Sequence, residues 1–164
     1  MKTLRFLSLI LTVSLAVVSC KKDDDGGEDP TGGEGTLTAK VDGQTVNTTL
    51  GITAVENSGT LAISGGTMES ENLQIIITSF NGVGTYPLNF TNIGTYSYLP
   101  DPSNPDPNTV VVYATVNGLQ NTGEINITSY SNSNVKGTFS FTGYNYQDTS
   151  DTVSVTEGQF NINF

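Results

Sequence analysis

The chain reads as an all-β protein, an antiparallel β-sandwich or flattened barrel of roughly eight to eleven short strands. Two observations predict this. Val, Ile, Thr, Phe and Tyr recur with a period of two through most of residues 36–164, the spacing that sends successive side chains to opposite faces of a strand. Turn signals made of Gly, Asn, Asp and Pro interrupt the pattern repeatedly, and no stretch carries apolar residues at helical spacing. One apolar face per strand calls for two layers packed about 10 Å apart.

The segment before that domain sets an address. Lys2 and Arg5 precede a 13-residue, mainly apolar run at residues 6–18. A bilayer core needs about 20 such residues, so this run is too short to span one. With Ala16 and Ser19 ahead of Cys20, residues 1–19 read as a cleaved secretory signal peptide. Val17-Val18-Ser19-Cys20 resembles a bacterial lipobox, which implies cleavage before Cys20 and acylation of its sulfur and its new amino terminus. Cys20 is the only cysteine, so in an exported protein it has no internal disulfide partner. Several acyl chains, at about 0.8 kcal/mol per buried CH₂, hold a protein far better than one. The membrane is thus an expected partner, reached through lipid on Cys20.

Residues 20–35 read as the lipidated cysteine and a flexible acidic tether, glycine-rich and without apolar groups to bury, averaging about 20 Å end to end. Lys21, Lys22, Asp23, Asp24 and Asp25 resemble the export signal that sends lipoproteins of Bacteroidota to the outer face of the outer membrane. The expected location is therefore the outer membrane, facing the cell exterior, with its periplasmic face as the alternative.

Residues 36–164 are long enough for one domain with one core. Of the 16 acidic and six basic residues in the chain, six acidic and four basic precede Thr36. Ten carboxylates and two lysines, Lys40 and Lys136, remain, a net charge of −8 that repels phosphate backbones and excludes nucleic acid as an expected partner. Histidine is absent, which removes His-based triads and His metal ligands. Neither a glycine-rich phosphate cradle nor a Gly-x-Ser-x-Gly elbow occurs. We expect no enzyme activity and no cofactor.

Taken in order, Leu37, Ala39 and Val41 share one face of a first strand, and Asp42-Gly43 forms a tight turn into residues 44–46. Leu61 and Ile63 mark a strand bounded by Gly59 and Gly65-Gly66; Leu73, Ile75 and Ile77 mark another, with Ile76 hinting at cover on both faces. Asn81-Gly82 and Gly84 turn the chain into residues 86–90, and residues 95–98 form a short strand. Three prolines make residues 101–108 an irregular loop. Residues 110–116 are the most apolar strand and are expected to be central, with Val110, Val112, Ala114 and Val116 on one side and Val111 and Tyr113 on the other. Ile125 and Ile127 face inward, as do Phe139 and Phe141 opposite Lys136, Thr138, Ser140 and Thr142. Val153 and Val155 lead through Glu157-Gly158 to Phe160, Ile162 and Phe164, with Asn161 and Asn163 facing out.

Residues 35–44 (GTLTAKVDGQ), 84–88 (GTYPL), 123–128 (GEINIT), 135–141 (VKGTFSF) and 155–160 (VTEGQF), in that order, resemble an uncharacterised family of small Bacteroidota lipoproteins. The resemblance implies the fold and the address and carries no catalytic assignment.

Four constellations are candidates for a site. Tyr96 with Tyr98, and Tyr144 with Tyr146, are i, i+2 pairs that could form platforms for a glycan or protein partner, or simply pack on the sheet. Asp101, Asp106 and Asn108, with Ser103 and Asn104, offer oxygen ligands for calcium, although the spacing fits no EF-hand and a plain proline-rich loop is the simpler account. Asp148 and Asp151 are a weaker version of the same idea. Glu69 and Glu71 could serve glycosidic acid–base work across a cleft or merely keep an edge soluble. Asp151-Thr152-Val153 also resembles an O-glycosylation acceptor of this bacterial group. The expected function is a non-catalytic binding or envelope structural module, the alternatives being a glycan-capturing accessory lipoprotein and a carboxylate-dependent glycan hydrolase.

Overall fold

Alternation in the sequence becomes alternation of burial. In the computed structural model, which describes residues 35–116 and 120–164, β1 (Thr36–Val41) buries Leu37, Ala39 and Val41 and turns Thr36, Thr38 and Lys40 toward solvent. Cys20, the leader and tether residues 21–34 lie outside the described residues. Asp42 and Gly43 take φ of 47° and 83°, the left-handed pair of a two-residue hairpin, and β2 (Gln44–Asn47) returns beside β1.

The other described strands are β3 (Leu50–Asn57), β4 (Thr60–Gly66), β5 (Glu71–Ile77), β6 (Gly84–Leu88), β7 (Ile93–Tyr98), β8 (Val111–Ala114), β9 (Gly123–Tyr130), β10 (Asn134–Asn145) and β11 (Thr152–Asn163). All pair antiparallel in one sheet; nine follow the order β2-β1-β11-β10-β8-β7-β5-β4-β3, and β6 and β9 branch from it. The sheet curls into a half-barrel, so its two halves face each other across one core. That single continuous sheet supplies both layers that the alternation required. Pro107–Thr109 forms one 3-10 turn.

Strand β10 is where the sheet forks. Residues Val135 to Phe141 pair with β9, which carries β6 on its far side, whereas Tyr144 and Asn145 pair with β8. A threonine stitches the fork: buried Thr115 donates its hydroxyl to the Asn89 carbonyl at 3.2 Å and accepts from the Gly94 amide at 3.1 Å. Its own carbonyl accepts from the Thr122 hydroxyl at 3.1 Å.

The two ends of the strand order, β2 and β3, are consecutive in the chain. Thr48 and Thr49 make the crossing: the Thr48 hydroxyl donates to the Leu37 carbonyl at 2.8 Å, and the Thr49 amide donates to the Gly66 carbonyl at 2.8 Å. In β11, Val153 and Val155 face in, and so do Phe160 and Ile162, a change of parity that requires an extra residue. The register shift against β10 and a φ of +51° at Glu157 provide it as a bulge.

The structure corrects several expectations. Strand β3 carries no alternating apolar signal, because Ala54 is its one buried residue. Strand β8 is central in order, as expected, but short: Tyr113 and Ala114 are buried, Val111 packs half-buried against the core, and Val112 and Val116 are half-buried. Val110 is exposed, since the chain at that point is still leaving the proline-rich loop. Asn161 is buried, accepting from Asn134 Nδ2 at 2.9 Å. Phe164 is exposed at the end of the chain, edge-on to Tyr130.

Candidate functional site

Strand register decides what the tyrosine pairs can do. In β7, Tyr96 points into the core and Tyr98 is half-buried. The Tyr96 ring lies 5.9 Å from Tyr98 and 6.4 Å from Tyr113 on β8, so the three form one packed cluster. Tyr96 donates its hydroxyl to Glu71 Oε1 at 2.7 Å, and Tyr113 donates to Asp151 Oδ2 at 2.9 Å. Burial first, then the bond to Glu71 and its negative charge, holds the Tyr96 hydroxyl well above the ordinary tyrosine value. Tyr113 is pushed up to about 12, by burial and then by the bond and charge of Asp151. This pair is a structural cluster, not an open platform.

The second pair behaves differently. Tyr144 is half-buried near the end of β10, while Tyr146, just past the strand, is 64% exposed. Tyr146 sits beside a groove of about 250 Å³ lined by Asn108, Thr109, Val110 and Val111 on one wall and Asn145 and Gln147 on the other. The fold therefore unites two candidates that the sequence kept apart, the proline-rich loop and Tyr146.

The loop carboxylates themselves are occupied locally. Asp101 Oδ1 accepts from the Ser103 hydroxyl at 2.6 Å and from the Ser103 and Asn104 amides. The Ser103 hydroxyl holds the Asp101 carboxyl below its ordinary value, helped by those amides. Asp106 caps the 3-10 turn, its Oδ1 accepting from the Asn108 amide at 2.9 Å and Asn108 Nδ2 at 2.8 Å. Asp148 repeats the motif with Ser150, whose hydroxyl lowers the carboxyl in the same way. Asp151 is tied to Tyr113 and to Asn145 Nδ2. Each of these side chains closes a turn or bridges two segments. Among the described residues no group of three or more acidic side chains converges as a metal site would require.

Glu69 and Glu71 do not act as a pair. Glu71 is bound to Tyr96, whereas Glu69 is exposed in the preceding turn, where Ser70 takes a φ of +66°. A different pair of carboxylates, which the sequence reading passed over, lines a hollow of about 300 Å³ over β9, β10 and β11: Glu124 and Glu157. Glu157 is committed to Lys40 Nζ at 2.8 Å. The bulge that exposes Glu157 was legible only as a change of parity along β11.

A third hollow, of about 460 Å³, lies at the opposite end of the strands from Tyr146, between Ala54, Val55 and Glu56 of β3 and the residues Tyr130, Ser131 and Phe164. No helix among the described residues is long and apolar enough to cross a membrane.

No curated protein and no solved structure matches the chain. A family described as a domain of unknown function, DUF6252, matches residues 33–162, which takes in all the described strands except the last residue of β11. The chain belongs to that family.

Proposed function

We propose that this protein is a membrane-anchored lipoprotein, displayed on the outer face of a bacterial outer membrane, whose β-domain binds a partner without catalysing a reaction. The anchor rests on the short apolar leader, the lipobox-like step into Cys20 and the acidic tether that follows. The observation that carries the binding role is the groove beside Tyr146. An exposed ring stands there next to amide and hydroxyl side chains from Asn108, Thr109, Asn145 and Gln147, at the end of the barrel farthest from where the tether enters. Against catalysis, Glu71 and Glu157 are each engaged by a partner side chain.

That combination of a flat ring and side-chain amides suits a neutral glycan, which is the second reading within binding. The test is a thermal melt of the protein against a panel of oligosaccharides, repeated with Tyr146→Ala. A ligand at a hundred times its dissociation constant adds about 2.7 kcal/mol, a shift of several degrees. One sugar class should raise the midpoint, and Tyr146→Ala should abolish the shift without lowering the unliganded midpoint. A shift that survives Tyr146→Ala would remove the groove from the account.

A further inference from the structure

The β-domain is polarised along its strands. Seven of its ten carboxylates, Asp42, Glu69, Glu71, Asp101, Asp106, Asp148 and Asp151, lie in the turns or at the strand ends far from Gly35. Among the described residues, the charged side chains at the Gly35 end are Glu56, whose carboxylate accepts from the Gly59 amide in its own hairpin, and Lys136 on β10. Exposed apolar side chains occur at both ends, Leu50, Met68, Val110 and Tyr146 among the carboxylates at the far end, and Val55 (57% exposed), Val83 (64%), Tyr130 (36%) and Phe164 (44%) at the Gly35 end, where few charges accompany them.

These residues are neighbours in space. Tyr130 stacks edge-on against Phe80 at 4.9 Å and against Phe164 at 5.9 Å, and Val55 shares the 460 Å³ hollow with Tyr130 and Phe164. Gly82, next to Val83, approaches the Tyr130 ring. Gly35, where the described chain takes up from the tether, donates to the Asn161 carbonyl, three residues from Phe164. Exposed apolar side chains that adjoin one another, as along this rim, are a surface suited to contact with a partner or a membrane.

We propose that this end is a lipid-facing surface, with Val55, Val83, Tyr130 and Phe164 resting in the headgroup region of the membrane that holds the chain. The inference rests on the lipid-anchored reading above and adds to it an orientation. Fifteen residues separate Cys20 from the domain, an average reach of about 20 Å, so the rim meets the bilayer without stretching the tether. Tyrosine suits that depth, its ring offering an apolar body to the acyl boundary and a hydroxyl to water, and Val55, Val83 and Phe164 add apolar surface beside it. Most carboxylates of the β-domain lie at the end that this pose turns away from the membrane.

Spin labelling of the full chain tests the pose. The chain is made in a Gram-negative host, processed there, and reconstituted into vesicles of zwitterionic phosphatidylcholine. Cys20 is consumed by the anchor, so Val83→Cys and, at the far end, Asn104→Cys each carry one nitroxide. Co-flotation with vesicles reports the anchor. Oxygen accessibility severalfold above that of a water-soluble nickel chelate is expected at position 83, with the reverse at position 104. Equal aqueous accessibility at both positions, with the protein still floating, would overturn the orientation and leave the anchor intact. Shielding of position 83 from both probes, with spin–spin broadening, would assign the rim to a second copy and overturn the lipid pose. Failure to co-float would remove the anchor and the pose together.

Discussion

The Tyr113 hydroxyl donates to the Asp151 carboxylate at 2.9 Å, a bond that fastens β8 to the turn before β11. Tyr113→Phe keeps the ring in the cluster with Tyr96 and removes that bond, while Asp151 retains Asn145 Nδ2 as a partner. Because Asp151 is left with a donor, the expected cost is about 1.5 kcal/mol. Differential scanning calorimetry should read a fall of several degrees.

The same bond predicts how stability responds to alkali. The folded value of Tyr113, pushed up to about 12, exceeds the unfolded tyrosine value of about 10. A group raised in the folded state contributes stability that is complete below the unfolded value and lost as pH rises through the folded one. Urea titrations at about pH 8 and about pH 11 should show a fall that is smaller in Tyr113→Phe. An identical fall in the variant would discount the bond.

Gly65→Ala should destabilise the barrel where the chain crosses between its two halves. A Cβ at Gly65 would stand 2.7 Å from Thr48 Oγ1 and 3.1 Å from a Leu37 methyl. Overpacking of this kind costs about 1–3 kcal/mol. In a Thr48→Ala background the added cost of Gly65→Ala should shrink, giving a coupling of about 1 kcal/mol in a double-mutant cycle measured by urea titration.

Ser58→Asn should stabilise. Ser58 and Gly59 join β3 to β4 with φ of 53° and 77°, both left-handed, and Asn-Gly is the pair that such a turn favours. A gain of about 0.5 kcal/mol is expected, less whatever the exposed Ser58–Asn57 hydrogen bond supplies. A loss by urea titration would contradict the turn assignment.

Asp101→Ala and Asp106→Ala should leave global stability within about 0.5 kcal/mol, because both carboxylates are exposed and cap only their own turns. Hydrogen exchange at Ser103, Asn104 and Asn108 should accelerate in the respective variants. Millimolar calcium should release no heat on titration into the unmodified protein; a saturable heat lost in Asp106→Ala would reinstate the cation site.

Where burial is one-sided, the sequence was readable. Leu37, Ala39, Val41, Phe139 and Phe141 lie in strands with one wet face, and their alternation survives intact. Strand β3 left no trace because it ends the strand order and buries Ala54 alone, so selection for an apolar face is weak along it. Strand β8 is central as its apolar character suggested, but which of its two faces enters the core was not legible, because the polar tip of Tyr113 is satisfied by Asp151, a residue 38 positions away. For Tyr96 the sequence left a platform and packing on the sheet both open, and only the fold, which answers its hydroxyl with Glu71 across the β5–β7 pair, selects packing. Tyr146 and the proline-rich loop were both visible, but nothing local could show that β8 and β10 bring them to one groove.

The placement of Gly35 has a mechanical consequence. Strand β1 begins just after Gly35 and lies between β2 and β11, and the Tyr146 groove is at the other end of the strands. Tension between the tether and anything gripped in that groove runs along the strands. Ladder hydrogen bonds stand perpendicular to that direction, so β1 loads its bonds to both neighbours at once, in shear, instead of peeling them away in turn.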